Sequence, residues 1–192
     1  MHQPRNCDYL ALKRILRYIR GTLELGLPLT TGDLCLRTYT DADWAADLTD
    51  WKSISGFCTF LGNNLISWSV KKQTTVARSS TEAEYRSLSA ATSDILWIRR
   101  LADEFHINQT RPTTIYCDNT SAIALAHIPV FHARTKHIEI DYHFIRGHIQ
   151  TGNINIAHIF STDQIADILT KPLPITHFNL LRSKLTIRSQ ND

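Results

Sequence analysis

The fold is decided within residues 34–70, LCLRTYTDADWAADLTDWKSISGFCTFLGNNLISWSV. This stretch contains three short runs, beginning at Leu34, Gly56 and Leu65, whose composition and apolar patterning are typical of strands. The sequence Gly62-Asn63-Asn64 separates the second and third runs and predicts a tight hairpin. We therefore expect a meander of antiparallel strands.

Alternating strands and helices are predicted after the meander. A long helix is expected over about residues 81–105, because its apolar residues recur at spacings of three and four: Leu88, Ala91, Ile95, Ile98, Ala102 and Phe105. Strands are expected at 113–117 and 155–159, and helices at 119–126, 138–151 and 163–169. This order predicts an α/β fold, with a mixed sheet covered by helices.

The composition limits the class of protein. The chain has 192 residues, of which 43% are apolar and 20% charged, and its formal net charge of +3 does not by itself indicate a nucleic-acid-binding protein. No apolar stretch reaches the roughly 18 residues of a membrane helix, so we expect no membrane partner. Four scattered cysteines are typical of a reduced intracellular protein, so we expect a cytoplasmic, virus-like-particle or nuclear location.

An amphipathic helix is predicted over residues 8–20, where Tyr9, Leu12, Leu16 and Ile19 recur at helical spacing. Basic residues cluster toward its C-terminal end: Lys13, Arg14, Arg17 and Arg20. Cations are favoured there by the helix dipole. This basic face has two interpretations, a solvated surface or a contact with phosphates.

Four carboxylates stand at the ends of predicted elements. Asp41 closes the first strand, Asp118 follows the fourth strand, Glu84 lies in the first turn of the long helix, and Asp167 lies near the start of the last helix. Functional groups in α/β proteins gather beyond the carboxyl ends of strands. We therefore expect one sheet end to collect these four side chains.

Each of these acids also has an ordinary structural interpretation. Glu84 completes a capping box with Thr81, although the equivalent pattern from Ser79 to Glu82 would leave Glu84 free. Asp118 is a candidate helix cap, and Asp167 a candidate solvated helix acid. If the four converge, however, their mutual repulsion favours two divalent cations about 3.5–4 Å apart. Oxygen ligands favour Mg²⁺ or Mn²⁺ over zinc.

Eight segments of the sequence stand out together over about residues 4–173: RILRYIRGT from Arg14, YTDADWA from Tyr39, SGF from Ser55, WSVKKQ from Trp68, SSTEAEY from Ser79, CDN from Cys117, RTKHIEIDYHFIR from Arg134 and DQIADILTK from Asp163. In these segments, and in their order, the chain resembles the ribonuclease H domain of copia-type long-terminal-repeat retrotransposon polyproteins. The resemblance implies a ribonuclease H-like fold, whose five-stranded mixed sheet has its first three strands antiparallel.

The resemblance also implies an activity and a site. The activity is endonucleolytic cleavage of the RNA strand of an RNA–DNA hybrid with two Mg²⁺ ions, with Mn²⁺ as an alternative. Residue by residue, the implied catalytic and metal-binding carboxylates are Asp41, Glu84, Asp118 and Asp167. Asp43 is a second candidate for the first position. His158, near a loop where many relatives have a mobile histidine, is a candidate for assisting product release or an ordinary half-buried histidine.

Substrate contacts are predicted around these acids. Ser80, Asn119 and Thr120 flank them and are expected to reach the RNA backbone, while Lys71, Lys72, Arg78 and Lys171 are expected to contact phosphates. Trp68 has two interpretations, of which packing in the core is favoured over packing against a sugar. His127, His132, His137, His143 and His148 are spaced five or six residues apart without paired cysteines, so no structural zinc is expected.

The chain is expected to comprise three parts. Residues 1–32 are predicted to be a lead-in from the end of the reverse transcriptase region, residues 33–172 the ribonuclease H-like domain, and residues 173–192 a C-terminal tail. The reverse transcriptase region of the parent polyprotein is the expected partner in hybrid binding. Because no Tyr-x-Asp-Asp motif or integrase-type His/Cys set occurs, neither polymerase nor integrase activity is expected. The alternatives to an active nuclease are an idle nucleic-acid-binding remnant and an unstable relic.

Overall fold

The central element of the molecule is a five-stranded mixed sheet. The computed structural model describes residues 3–128 and 138–189. The strands are β1 (Leu25–Gly26), β2 (Leu36–Asp43), β3 (Ile54–Leu61), β4 (Asn64–Lys72), β5 (Thr113–Cys117), β6 (Ile154–His158) and β7 (Arg188–Ser189). The main sheet has the order β4-β3-β2-β5-β6, and β1 pairs separately with β7. Strands β2, β3 and β4 are antiparallel, whereas β5 and β6 run parallel to β2, so the predicted fold is confirmed.

Six α-helices lie in the described ranges. They are α1 (Asn6–Arg20), α2 (Ser80–Glu104), α3 (Thr120–His127), α4 (Glu139–Gln150), α5 (Asp167–Thr170) and α6 (Ile175–Lys184). The longest, α2, buries the predicted stripe from Leu88 to Ala102. Phe105 is an exception with 68% of its surface exposed, because the helix ends before it.

The start of α2 distinguishes the two capping patterns found in the sequence. The backbone N–H of Glu82 donates to Oγ of Ser79 at 3.2 Å, and Oε2 of Glu82 accepts from the backbone N–H of Arg78 at 2.9 Å. Ser79 is therefore the cap, and Glu82 takes the acidic role. Glu84 is left available for another function.

Two hydrophobic clusters hold the elements together. One joins α2, α3 and α4 to β5 and β6, through residues such as Leu88, Ile115 and Ile145. The other contains Cys58 and Phe60 of β3 together with Leu185, which directly follows α6. The segment predicted as a tail thus contains a helix and a core residue. The division of the chain at residues 32 and 172 stays a prediction.

Three local predictions need correction. Strand β2 continues to Asp43 and pairs with β3 along its whole length. Asp41 therefore lies within the strand and not at its end. The predicted helix at 163–169 is a 3₁₀ turn over Ser161–Asp163 followed by the four-residue α5. The prediction that Trp68 packs in the core is wrong. Trp68 is 55% exposed, and its strand β4 lies at the edge of the sheet.

Helix α1 differs from the other long helices in its packing. Within the described residues, no side chain of α1 is buried, and Tyr9, Leu12, Leu16 and Ile19 are each about half exposed. Its predicted apolar stripe is therefore an uncovered surface. None of the described helices combines the length and the apolar character that a membrane crossing requires.

Candidate active site

The four predicted carboxylates lie on three different elements and on the residue that follows β5, and they meet at one end of the sheet. One oxygen each from Asp41, Asp118 and Asp167 lies within 4.8 Å of the other two. An oxygen of Glu84 also lies within 4.8 Å of an oxygen of Asp118. Two overlapping groups of possible ligands therefore share Asp118, and the second also includes Cys117. We call Asp41, Glu84, Asp118 and Asp167 the acid cluster.

Most of the acid cluster is shielded from water. Asp41 has no exposed surface, and Glu84 and Asp167 are each 5% exposed, whereas Asp118 is only partly buried. Buried carboxylates are costly unless cations or hydrogen-bond donors compensate them. This arrangement therefore calls for positive charge at the centre of the cluster.

Protein donors supply part of this compensation. Oγ1 of Thr170 donates to Oδ2 of Asp41, and Oγ of Ser161 donates to Oδ2 of Asp118 at 2.7 Å. The ammonium of Lys171 lies 2.9 Å from Oδ1 of Asp41 and 2.8 Å from Oδ1 of Asp167. Within the described residues, Lys171 is the cation paired with the acid cluster.

The electrostatics of the cluster reflect this crowding. Burial raises the pKa of Glu84 to about 9, with further contributions from the charges of Asp41 and Asp118. Burial also raises the pKa of Asp167 to about 6, although Lys171 opposes the shift. For Lys171, burial disfavours the charged form, but the carboxylates of Asp41 and Asp167 outweigh it and raise its pKa. The cluster thus holds more negative charge than Lys171 neutralises.

A glycine allows α5 to approach the sheet and deliver its residues to the cluster. Gly56 of β3 lies opposite Asp41 in the antiparallel ladder. A Cβ at Gly56 would lie 2.7 Å from Cγ2 of Thr170 and 3.0 Å from Cβ of Leu169. The SGF motif is therefore needed for close packing beside the site.

Asp41 and Asp43 occupy different positions relative to the cluster. Both lie on β2, two residues apart, and share one face of the sheet. Asp41 belongs to the group of oxygens within 4.8 Å, and Asp43 is absent from the groups found among the described residues. This geometry favours Asp41 as the cluster member.

Asp118 and Asn119 have different roles, one in the acid cluster and the other as a helix cap. Oδ1 of Asn119 accepts a hydrogen bond from the backbone N–H of Ala122 at 2.9 Å, so Asn119 is the cap of α3. Asp118 stands one residue earlier and points its carboxylate toward Ser161 and the cluster. The interpretation of Asp118 as a helix cap is therefore wrong.

His158 lies at the same sheet end, one strand away from Asp118. It pairs in register with Cys117, is exposed, and its ring meets that of Phe160 edge-on with centroids 5.4 Å apart. It occupies the last position of β6 and not a loop. Its role in product release stays a prediction.

The predicted substrate contacts fall into two groups. Lys71, Arg78, Ser80 and Thr120 are exposed and lie on the elements around the cluster. Lys72 is held by surface carboxylates, 2.5 Å from Oδ2 of Asp47 and 3.0 Å from Oδ1 of Asp50. Lys171 is held by the cluster itself.

Two contributors to the site, and one half-exposed tryptophan close to it in sequence, were missed by sequence reasoning. Thr170 and Ser161 donate to Asp41 and Asp118, respectively. Trp44 follows β2, is 48% exposed, and donates its indole N–H to the carbonyl of Ala77 at 2.9 Å. Its place directly after the YTDAD stretch was the available signal, whereas the two hydroxyl contacts depend on how α5 folds back.

The donor set of the cluster fits a hard divalent cation. Carboxylate oxygens are the ligands that Mg²⁺ and Mn²⁺ prefer. Cys117 lies beside Glu84 and Asp118, but its sulfur is a soft ligand, whereas Mg²⁺ and Mn²⁺ prefer oxygen. His132 and His137 lie outside the described residues, so the absence of structural zinc stays a prediction.

Relatives of this chain are found among retrotransposon polyproteins. No family model matches the sequence. The chain is 50% identical over 188 residues to the retrovirus-related Pol polyprotein from transposon RE1 of Arabidopsis thaliana, and 47% identical over 188 residues to that from transposon RE2. Each match covers 97% of this chain and 13% of the relative, so the chain spans about an eighth of these polyproteins.

A solved structure shares the fold. The N-terminal RNase H domain of a Mycobacterium tuberculosis protein, determined as a fusion with maltose-binding protein, superposes with a TM-score of 0.53. The match covers 79% of this chain and 98% of that one at 12% sequence identity. At this identity the likeness concerns the fold alone.

Proposed function

We propose that this chain, which belongs to the copia-type retrotransposon Pol polyproteins and carries a ribonuclease H domain, is an endonuclease that cleaves the RNA strand of RNA–DNA hybrids. The observation that carries the proposal is the convergence of Asp41, Asp118 and Asp167 within 4.8 Å. These residues are far apart in sequence and largely buried, and ordinary packing does not favour such an assembly of like charges.

The proposed cofactor is a pair of Mg²⁺ ions, with Mn²⁺ as an alternative. The residues that would hold these ions are Asp41, Glu84, Asp118 and Asp167. Asp118 belongs to both groups of possible ligands, one with Asp41 and Asp167 and the other with Glu84 and Cys117. Bound there, the cations supply the positive charge that activates a water and stabilises the leaving oxygen of a phosphodiester.

Thr170 and Ser161 fix the orientation of two of these carboxylates. Thr170 fixes one oxygen of Asp41, and Ser161 fixes one oxygen of Asp118, so each carboxylate keeps a defined orientation. Burial of Asp41, Glu84 and Asp167 excludes water from one side of the cluster. The partly exposed Asp118 marks the side from which a phosphodiester can approach.

The proposed substrate contacts surround that open side. Ser80 and Thr120 are exposed at the starts of α2 and α3, and Arg78 precedes α2. Hydroxyl and guanidinium groups suit the sugar and phosphate contacts by which hybrids are recognised. Asn119 and Lys72 are more strongly committed to contacts within the protein, so we assign them smaller contributions.

The proposed protein partner is the reverse transcriptase region of a parent polyprotein. The uncovered apolar residues of α1, such as Leu12 and Leu16, support a packing partner for this helix. The net charge of +3 also supports hybrid binding that is shared with another region. An intracellular location remains a prediction.

The direct test is cleavage of an RNA–DNA hybrid by the purified chain with Mg²⁺. We expect the RNA strand to be cut, and chelation or Asp118→Asn to abolish cutting. Asp103→Asn is the matched control, because Asp103 is an exposed aspartate near the far end of α2. Cutting that survives in the Asp118 variant, or that needs no divalent cation, would contradict the proposal.

A second function is favoured by one observation. Lys171 already places an ammonium between two of the acids, as expected of a protein that has lost the use of a metal. In that case the chain is an idle nucleic-acid-binding remnant. Binding of the hybrid with no cleavage in Mg²⁺ or Mn²⁺ would establish this alternative.

A further inference from the structure

Lys171 occupies the position in the acid cluster that most needs a cation. Its ammonium bridges Oδ1 of Asp41 and Oδ1 of Asp167 at 2.9 and 2.8 Å. The Asp41 side chain is completely buried, and that of Asp167 is 7% exposed. The bridge thus compensates part of the negative charge of two enclosed carboxylates.

The same two carboxylates belong, with Asp118, to the group whose oxygens lie within 4.8 Å of one another. A divalent cation binds carboxylate oxygens at about 2.0–2.1 Å, whereas an ammonium donates to them from a greater distance. The two cations would also repel each other strongly at such a separation. Since Oδ2 of Asp41 already accepts from Thr170, a metal that binds Asp41 competes with Lys171 for Oδ1.

The local structure allows the side chain of Lys171 to leave the acid cluster. Lys171 follows the last residue of α5 in an extended conformation, with φ −118° and ψ 144°. Its backbone N–H donates to the carbonyl of Asp167 at 3.0 Å, which anchors the main chain. About a third of the side chain, 32%, is exposed. The side chain can thus turn toward solvent while α5 stays in place.

We infer that Lys171 is an internal counter-cation, which holds Asp41 and Asp167 together in the metal-free protein and is displaced by the incoming divalent cation. This inference rests on the proposed metal site. It gives Lys171 a positioning role before substrate binds. Once displaced toward the open side, the ammonium is available for the phosphate contact that the sequence predicts.

The test compares Lys171→Met with Lys184→Met by calorimetric titration of Mg²⁺ and Mn²⁺ and by thermal melting of the metal-free proteins. Lys184 is a matched control, because it is 29% exposed and pairs with Asp163 at 2.6 Å outside the acid cluster. We expect Lys171→Met to melt at a lower temperature without metal and to bind the cations about tenfold more tightly, which corresponds to about 1.4 kcal/mol. Lys184→Met should bind them as the wild type does.

The outcomes separate this inference from the proposed function. Equal affinities of wild type and Lys171→Met would overturn the inference and leave the metal site intact. Absence of binding by both proteins would overturn both. Should Lys171→Met not fold, Lys171→Arg decides, since a permanently charged guanidinium suited to bidentate pairing should weaken cation binding. Tighter or unchanged binding by Lys171→Arg would then contradict the inference.

Discussion

Gly56 lies directly opposite Asp41 in the antiparallel pair of β3 and β2, and the space above this glycine is filled by Thr170 of α5. Thr170 in turn donates its hydroxyl to Asp41. The absence of a side chain on one strand therefore allows a helix to reach a carboxylate on the next. Close packing and site geometry depend on each other at this point.

The first prediction concerns Gly56→Ala. The added methyl would meet Cγ2 of Thr170 at 2.7 Å, so α5 must move away from the sheet. We expect a loss of about 1–3 kcal/mol in the free energy of unfolding, as is typical of overpacking, and a lower affinity for Mg²⁺. Chemical denaturation and calorimetric titration measure the two effects.

Gly147→Ala is the control for this substitution. Gly147 lies inside α4, and apart from its chain neighbours and the backbone of its own helix no atom lies within 4 Å of the position that its Cβ would take. Because alanine favours the helix, we expect this variant to gain about 0.5–1 kcal/mol and to bind metal normally. Equal stability losses in both variants would show that close packing at Gly56 is unimportant.

The second prediction concerns the segment beyond residue 172. Leu181 of α6 has no exposed surface, whereas its neighbour Leu180 is 49% exposed. We expect Leu181→Ala to lower the free energy of unfolding by about 2–5 kcal/mol, because it empties a core position. Leu180→Ala should change it by less than about 0.5 kcal/mol. Similar small effects in urea denaturation would mean that this segment is a dispensable tail.

The third prediction concerns Trp44. Its ring is half exposed and fixed by the hydrogen bond to Ala77, and Trp44 lies three positions after Asp41 in the sequence, so we expect it to contact the nucleic acid in the proposed function. Loss of an aromatic contact with a base or sugar costs about 1–3 kcal/mol. We therefore expect Trp44→Ala to raise KM for the hybrid by about tenfold, with little change in kcat.

Trp97→Ala serves as the control for Trp44→Ala. Trp97 is 60% exposed and lies thirteen residues along α2 from Glu84, or about 20 Å at the rise of an α-helix. The KM of Trp97→Ala for the hybrid should equal that of the wild type. Trp44→Phe should recover most of the affinity, since it keeps the ring. An unchanged KM in Trp44→Ala would exclude Trp44 from the substrate surface.

Much of the fold was predictable because its signals are local. Apolar spacing identified α2, and the Gly62-Asn63-Asn64 turn identified the β3–β4 hairpin. Helix α6 was missed, because its apolar residues match no long stripe and because it packs against α5, a contact that depends on the tertiary fold. Trp68 was misplaced for a related reason. Its neighbours are apolar, but only the strand order makes β4 an edge.

The candidate site was predictable in part. The four acids were found from their places at element ends and from the family resemblance, and the structure brings them together. The bridge made by Lys171 was not predictable, because it depends on the tertiary path of α5 and on the length of a flexible side chain. Contacts between side chains distant in sequence, such as Ser161 with Asp118, have no periodic signature.

The last prediction concerns the pH dependence of stability without metal. Burial, with the charges of Asp41 and Asp118, raises the pKa of Glu84 from 4.5 to about 9. The folded protein therefore binds a proton at Glu84 more tightly than the unfolded chain does. The contribution of Glu84 to the free energy of unfolding is fully present below pH 4.5 and is lost as the pH rises through 9. We expect the metal-free melting temperature to fall across this window.

Glu84→Gln isolates this effect, because glutamine keeps the shape of the protonated acid without its titration. His148, whose pKa is lowered by burial, contributes an opposite slope near neutrality, but it is present in both proteins and cancels in their difference. Near pH 9, we expect the free energy of unfolding of Glu84→Gln to exceed that of the wild type by at least about 2 kcal/mol. Near pH 4.5, we expect the two values to differ little. Parallel pH profiles would contradict a raised pKa for Glu84 and, with it, the electrostatic case for a cation in the acid cluster.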